Sequence, residues 1–277
     1  MKIHLSARPP FSFLSVVRSH GWCQLAPFRF EESTGLLAYT ARLSSGRVLA
    51  LHVCAATDGI DIESAGEIQP AEEQEIACQA NWMFGLEQDF STFYALARSE
   101  PKLHKVIEKA SGRVLRSPTM FEDVIKTILT TNTVWGSTRR MVQNLVDLYG
   151  AAAQGDDMPR AFPTPQRLAT LSEDDLRQAA RLGYRAPYVL ELARRVSGGD
   201  LALEGLKTAP LSTPDLRKRL LALKGVGAYA AANLLMILGR YDEIPVDSWA
   251  LKVVSHEWYE GNPVGAAEGQ AAFERWG

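Results

Sequence analysis

Residues 223–233 read LKGVGAYAAAN, and an apolar helical pattern lies on each side of them. This stretch predicts a helix, a tight hairpin and a second helix. Gly225 and Gly227 allow a positive φ and let the backbone come close to another molecule. The amides at the start of the second helix then point outward, where they can hold a phosphate with help from the helix dipole. An ordinary turn between helices is the alternative, because short glycine motifs also occur by chance.

An acidic residue follows the hairpin at a position where a new helix should begin. Asp247 lies eighteen residues beyond Tyr229, in the segment IPVDSW at residues 244–249. Capping that helix is the ordinary use of such an aspartate. A chemical role is compatible with capping, because a carboxylate beside helix-terminal amides stays ionised. An ionised carboxylate can stabilise developing positive charge or orient a water molecule.

The composition is that of a folded protein without a membrane span. The chain has 277 residues, of which 46% are hydrophobic and 22% are charged, close to the average for soluble globular proteins. The longest nearly apolar stretch, residues 228–239, is shorter than the roughly 20 residues that cross a bilayer. Residues 1–13 lack the apolar core of a secretory signal. We therefore expect a protein inside the cell, in the cytoplasm with the nucleoid if it is bacterial, and no membrane partner.

Charge and cysteine content narrow the choice of partners and cofactors. The net charge of −2 gives no general attraction to nucleic acid. Residues 55–100 contain ten acidic residues and one basic residue, whereas residues 180–256 contain eleven basic and seven acidic residues, so a polyanion should meet the later segment. The three cysteines, Cys23, Cys54 and Cys78, are too widely spaced and too few for a metal or iron–sulfur site. We expect neither.

Periodicity divides the chain into a sheet and a helical body. Residues 36–43 and 47–54 predict a β-hairpin, and a further strand is plausible at residues 60–63. Helical spacing dominates after Pro70, with a polar break at residues 130–133. The predicted helices cover residues 72–84, 91–98, 102–109, 121–129 and 141–150, and others start near Ser172 and Thr213; residues 151–165 are predicted to be a loop. The fold class is therefore α+β and mostly α-helical, with an N-terminal antiparallel sheet domain at residues 1–66 and a helical body at residues 67–277.

The hairpin followed by Asp247 resembles the helix-hairpin-helix (HhH-GPD) DNA glycosylase superfamily, in its 3-methyladenine and 8-oxoguanine branch. Three more segments are similar to that branch. LGYRAPY at 182–188 resembles the loop before the hairpin, TTN at 130–132 the DNA-inserting turn, and RSHGW at 18–22, more weakly, the start of the sheet domain. The resemblance is strong over residues 112–257. It implies two helical lobes with the active site in the cleft between them.

The resemblance also implies roles for individual residues. Asp247 would be the catalytic carboxylate, and the base pocket would hold Tyr229, Trp249 and Asn233. Tyr184 would fill the gap that an extruded base leaves, while Asn132 and Arg185 donate hydrogen bonds to the unpaired partner base. The residues expected to contact DNA are Lys224, Gly225, Val226, Gly227, Asn132, Tyr184 and Arg185. The ordinary alternatives are a core position for Trp249, loop packing for Tyr184 and simple solvation for Lys224.

Tyr229 decides between two kinds of glycosylase. Members that also cut the strand carry a lysine at this hairpin position, and a phenol cannot form the Schiff base that a lysine forms with the sugar. The alkylpurine branch has an aromatic residue there. The sequence therefore predicts a monofunctional glycosylase that acts as a monomer, without a cofactor, on damaged and alkylated purines in double-stranded DNA during base excision repair.

Two other functions and two structural questions stay open. The GYRA loop and the sheet also fit an 8-oxoguanine-type glycosylase, and a DNA-structure binding protein without catalysis could keep the hairpin. A monovalent cation could bridge the hairpin carbonyls to a phosphate, although we expect no other metal. The chain ends at Gly277, where members of the superfamily usually continue into another helix. Either part of the pocket wall is missing or the sequence is a piece of a longer one.

Overall fold

The computed structural model describes residues 2–64, 66–153 and 160–273. Its sheet consists of the antiparallel strands β1 (Lys2–Ser6), β2 (Phe28–Glu31), β3 (Leu36–Arg42), β4 (Val48–Ala55) and β5 (Gly59–Ser64), in the spatial order β1-β5-β4-β3-β2. The predicted hairpin and the predicted third strand are confirmed as β3, β4 and β5. We did not predict β1, which pairs with β5 far along the chain, or the four-residue β2. Local patterns do not reveal such pairings.

Twelve α-helices account for nearly half of the remaining described residues. They are α1 (Phe13–Val17), α2 (Pro70–Phe84), α3 (Ser91–Ser99), α4 (His104–Glu108), α5 (Met120–Thr130), α6 (Trp135–Tyr149), α7 (Pro165–Ala169), α8 (Ala186–Ser197), α9 (Thr213–Leu221), α10 (Ala228–Ile237), α11 (Ser248–Trp258) and α12 (Ala266–Ala271). None of these helices is long and apolar enough to cross a membrane. The α+β, mostly helical fold class is confirmed.

One predicted helix differs from the structure, and one predicted loop lies partly outside the described residues. The helix predicted at 102–109 is split into a 3-10 turn, Pro101–Leu103, and α4. The Glu100 side chain accepts a hydrogen bond from the Lys102 amide and fixes that turn. The loop predicted at 151–165 falls partly on residues 154–159, outside the described residues.

Helix α5 lies at the centre of the molecule. The Thr119 side chain caps its start by accepting from the Glu122 amide. Its apolar side chains are buried, and its polar side chains are buried as well: Glu122, Asp123, Lys126 and Thr127 are all nearly inaccessible to solvent. These polar groups must therefore find partners inside the protein.

Side chains of the N-terminal segment supply several of those partners. Trp22 Nε1 donates to Asp123 Oδ1 at 2.7 Å, and the Tyr39 hydroxyl donates to Glu122 Oε2 at 2.9 Å. Lys126 Nζ donates to the other Glu122 oxygen at 2.6 Å and lies 4.6 Å from the centre of the Phe28 ring. We call these six residues the α5 polar cluster. It joins the sheet to the helical body by directional bonds.

The predicted division at residue 66 separates the sheet from the helices along the sequence. All five strands lie within residues 2–64. In space, however, one apolar core includes Ile3 of β1, Ile125 of α5 and Ile237 of α10. The two parts therefore share their hydrophobic interior, and the domain boundary itself stays a prediction.

Two titratable groups, Asp123 of the α5 polar cluster and the half-buried His20, have opposite pH dependence. Burial lowers the pKa of His20 from 6.5 to about 4, even though its Nε2 bonds the Leu115 carbonyl at 2.6 Å. Burial raises the pKa of Asp123 from 3.8 to about 6, partly offset by the hydrogen bond from Trp22. Between pH 6.5 and about pH 4, His20 is protonated in the unfolded chain but not in the folded chain. Lowering the pH through this range therefore lowers the free energy of unfolding. Between about pH 6 and pH 3.8, Asp123 is protonated in the folded chain but not in the unfolded chain. Lowering the pH through this range therefore raises the free energy of unfolding.

We predict that replacing either group alone exposes the effect of the other. Relative to wild type, His20→Gln should gain about 3 kcal/mol of unfolding free energy between pH 7 and pH 4, because the destabilising protonation is lost. Asp123→Asn should lose about the same amount over that range. Urea denaturation at a series of pH values measures both profiles, and parallel profiles for the two variants would contradict the assignment.

Candidate active site

The predicted hairpin connects α9 to α10 and is built around Gly225. This glycine has a φ of +84°, which side chains disfavour. A Cβ atom placed on it would also lie 2.7 Å from Cδ2 of Tyr188, in the first turn of α8. Gly225 is therefore required both by its backbone conformation and by the close approach of α8.

Gly227 differs from the expectation of a positive φ. It lies in extended backbone, with φ −93° and ψ −171°, as the N-terminal cap of α10, a conformation open to any residue. Among the described residues, no atom lies within 4 Å of where its Cβ would be, and no side chain caps the α10 amides. Gly227 thus leaves the start of α10 open to an approaching group, while the turn itself needs only Gly225.

Lys224 is exposed beside the hairpin, but it has a partner within the protein. Its Nζ lies 2.5 Å from Oε2 of Glu191 on α8. The contact of Lys224 with a phosphate stays a prediction. To make it, the ammonium group would have to leave the Glu191 carboxylate or bind both anions at once.

Asp247 caps α11, as the ordinary reading of the sequence predicted. Its Oδ1 accepts hydrogen bonds from the amides of Trp249 at 2.9 Å and Ala250 at 2.8 Å. No described residue forms a hydrogen bond with Oδ2. The residue is exposed, and its charge acts on Tyr229: burial first, and then the negative charge of Asp247, raise the pKa of that phenol. Asp247 is therefore close enough for its charge to act on the Tyr229 phenol.

An open cavity of about 470 Å³ lies between the hairpin and two other segments. Residues 225–230 form one wall, Thr131 and Asn132 a second, and Tyr184 and Tyr188 a third. The structure thus brings together Asn132, Tyr184, Tyr229 and the three hairpin residues that the sequence analysis selected. Thr131 and Tyr188 were missed as site residues, although Tyr188 follows Tyr184 by one helical turn.

Thr131 and Asn132 belong to a turn at residues 131–134, which we call the Asn132 turn. Arg185 holds this turn in place. Asn132 has a φ of +47°. The buried Arg185 side chain donates through Nη2 to the Thr131 carbonyl and, at 3.3 Å, to that of Asn132. Its guanidinium lies 4.4 Å from the centre of the Tyr184 ring. Arg185 therefore supports both predicted inserting residues, and its own contact with a partner base stays a prediction.

Asn233 and Trp249 do not line the cavity. Asn233 is buried one turn beyond Tyr229 on α10, and the hydrogen bonds of Asn233 and Thr130 offset part of the rise in the Tyr229 pKa. Trp249 is 71% exposed, so it is not a core residue. Base-pocket roles for both residues remain predictions.

The described residues contain no group of three or more His, Cys, Asp and Glu side chains that could hold a metal ion. Cys23, Cys54 and Cys78 are free thiols. A monovalent cation at the hairpin carbonyls stays a prediction.

A family model and a known bacterial protein both match this chain. Residues 125–276 match the family model described as HhH-GPD superfamily base excision DNA repair protein. A DNA-3-methyladenine glycosylase of Bacillus subtilis is 24% identical over 196 residues, which are 69% of this chain and 64% of that protein. The chain thus spans less than two thirds of the length of this relative.

Two solved structures share the fold. A 3-methyladenine DNA-glycosylase from Archaeoglobus fulgidus superposes with a TM-score of 0.78 at 19% identity, covering 99% of this chain and 92% of that one. A Clostridium acetobutylicum 8-oxoguanine glycosylase/lyase, in complex with double-stranded DNA containing cytosine opposite 8-oxoG, superposes with a TM-score of 0.73 at 21% identity, covering 96% and 86%.

The geometry of the hairpin predicts different tolerances for its two glycines. Gly225→Ala should lower the free energy of unfolding by ~1–3 kcal/mol, because the new methyl group meets Tyr188 and φ is positive. Gly227→Ala is the matched control and should change it by less than ~1 kcal/mol. Chemical denaturation measures both, and equal stability of the two variants would contradict this account of the turn.

Proposed function

Because the chain belongs to the HhH-GPD superfamily of base excision DNA repair proteins, we propose that it is a DNA glycosylase. Its reaction is hydrolysis of the N-glycosidic bond of a damaged base in double-stranded DNA. The observation that carries the proposal is Asp247. This exposed carboxylate keeps one oxygen free of hydrogen bonds to described residues and acts on Tyr229 at the cavity wall.

The reaction makes a specific electrostatic demand on the site. As the bond from the base to C1′ breaks, its electron pair leaves with the base and the deoxyribose gains oxocarbenium character. Water then adds to C1′ and gives up a proton. Fixed negative charge stabilises that transition state. The two helix-terminal amides that bond Oδ1 of Asp247 hold the carboxylate in place.

The cavity walls suit a nucleotide turned out of the duplex. The uncapped amides at the start of α10 are exposed donors for a phosphate. On the other two walls, Asn132 and the 46% exposed Tyr184 are available to occupy the space that the base leaves. Each of these contacts lowers the cost of extruding the base.

Tyr229 supports the monofunctional reaction and the preference for alkylated purines. Its raised pKa keeps the phenol protonated at neutral pH, and no described residue that lines the cavity is a lysine. Among the described residues that line the cavity, no amine is therefore at hand for a Schiff base, and Lys224 beside the hairpin is paired with Glu191. An aromatic face can stack on an electron-poor alkylated purine, a contact worth ~0.5–2 kcal/mol.

Removing the charge of Asp247 tests the proposal. Asp247→Asn should lower the rate of excision by ~10²-fold or more. The fold and the affinity for DNA should persist, because asparagine caps a helix about as well as aspartate. Single-turnover kinetics, DNA binding and thermal unfolding are compared with wild type. Excision at the wild-type rate would contradict the catalytic role, and the absence of excision in wild type would favour a DNA-structure binding protein.

The lesion class is tested with duplexes that each carry one damaged base. We expect release of alkylated adenine, with strand cleavage only after alkali treatment, because hydrolysis leaves an abasic site. Release of 8-oxoguanine instead would favour the alternative substrate. Cleavage without alkali would contradict the monofunctional mechanism, since it requires an amine that attacks the sugar.

A further inference from the structure

Two buried polar atoms on α5 and α10 have no hydrogen-bond partner among the described residues. They are Oγ1 of Thr127 and Oδ1 of Asn233. Thr127 is fully buried and Asn233 is 6% exposed. Burying a polar atom without a hydrogen bond destabilises a folded protein. Such atoms are retained where a ligand can satisfy them.

Helical periodicity relates both atoms to the cavity. Thr127 lies one turn before Thr130 on the same face of α5, and Asn233 lies one turn after Tyr229 on the same face of α10. The hydrogen bonds of Thr130 and Asn233 both act on the Tyr229 phenol, and the two helices pack against each other. The unpartnered oxygens therefore lie one turn beyond Tyr229, away from the hairpin.

We propose that Asn233 and Thr127 form the polar floor of the base pocket and recognise the amino edge of the base by hydrogen bonding. Asn233 Oδ1 accepts from an N–H group of the extruded base, and the Thr127 hydroxyl donates to a neighbouring acceptor on the same edge. This inference rests on the proposed glycosylase function. It goes beyond it by naming the recognised feature, an N–H donor beside an acceptor, as on the amino edge of adenine.

Entry of the base requires movement at the cavity wall. Both oxygens are closed off from solvent, whereas Tyr229, the nearest cavity-lining residue on α10, is half-buried. A base reaches the floor when the Tyr229 ring turns aside, and the ring can then stack on the base. A pocket that pairs its polar atoms only with the correct base rejects bases that leave those atoms unpaired.

The chain offers a matched control for the experiment. Thr40 is also buried, with an Oγ1 atom that lacks a partner among the described residues, but it lies on β3 of the sheet rather than on α5 or α10. Thr127→Val and Thr40→Val each replace an unpartnered hydroxyl with a methyl group and should change thermal stability alike. Only Thr127→Val should change base recognition. Asn233→Leu removes the acceptor with little change of volume.

Excision from duplexes is the first readout. One duplex carries 3-methyladenine, which keeps an amino group, and the other carries 1,N6-ethenoadenine, in which that edge is closed into a ring without an N–H donor. Thr127→Val and Asn233→Leu should each slow release of 3-methyladenine by up to ~10-fold, the scale of one hydrogen bond. Thr127→Val should not slow release of ethenoadenine, whose closed edge leaves the floor atoms unpaired in wild type, and Thr40→Val should slow neither lesion. Equal slowing of both lesions, or no slowing of 3-methyladenine, would overturn the inference while leaving the glycosylase function intact.

Binding of the free base separates the inference from the reaction. Free 3-methyladenine at millimolar concentration should raise the Tm of wild type and of Thr40→Val, because it binds the folded state. It should not raise that of Thr127→Val or Asn233→Leu. An equal shift in all four proteins would overturn the polar floor. Loss of excision in wild type, with the expected shifts preserved, would instead overturn the proposed function.

Discussion

The buried ion pair between Lys126 and Glu122 is the constraint on which the rest of the structure depends. Both side chains are almost inaccessible to solvent, and a buried charge without a partner is strongly destabilising. Tyr39 of the sheet bonds the second Glu122 oxygen, and the neighbouring Asp123 is bonded by Trp22. The sheet is therefore part of the environment that makes α5 possible. The position of α5 in turn places the Asn132 turn, which begins at the C-terminal end of this helix.

A second chain of contacts leads from that turn to the hairpin. Arg185 bonds the turn through backbone carbonyls, and α8, which follows it directly, presents Tyr188 against Gly225. Displacing α8 would thus move two walls of the cavity together. Asp247 caps α11 and does not line this cavity itself; its capping bonds and its proposed catalytic role would use different oxygens of one carboxylate. A capping bond of this kind orients the group at no cost to its charge.

The local features were predicted where they depend on nearby residues. The β3–β4 hairpin, the stripe of α5, the turn at Gly225 and the helix start at Asp247 each follow from residues within a few positions of one another. Predictions that required distant partners were less complete. β1 pairs with β5, and the polar face of α5 is buried rather than solvated. Lys224 is paired with Glu191 on another helix, and Gly227 is extended because the close contact with α8 falls on Gly225.

The sequence by itself determined the fold class, the family resemblance and the identity of the hairpin and the carboxylate, because glycine, aspartate and helical periodicity act over short range. Only the tertiary structure decided which side chains meet. It brought Asn132, Tyr184 and Tyr229 to one cavity, turned Arg185 inward as a support and left Trp249 in solvent. It also buried Thr127 and Asn233, each with one polar atom that has no partner among the described residues. Burial and hydrogen-bond satisfaction depend on segments that are distant in sequence, and a linear pattern does not contain those distances.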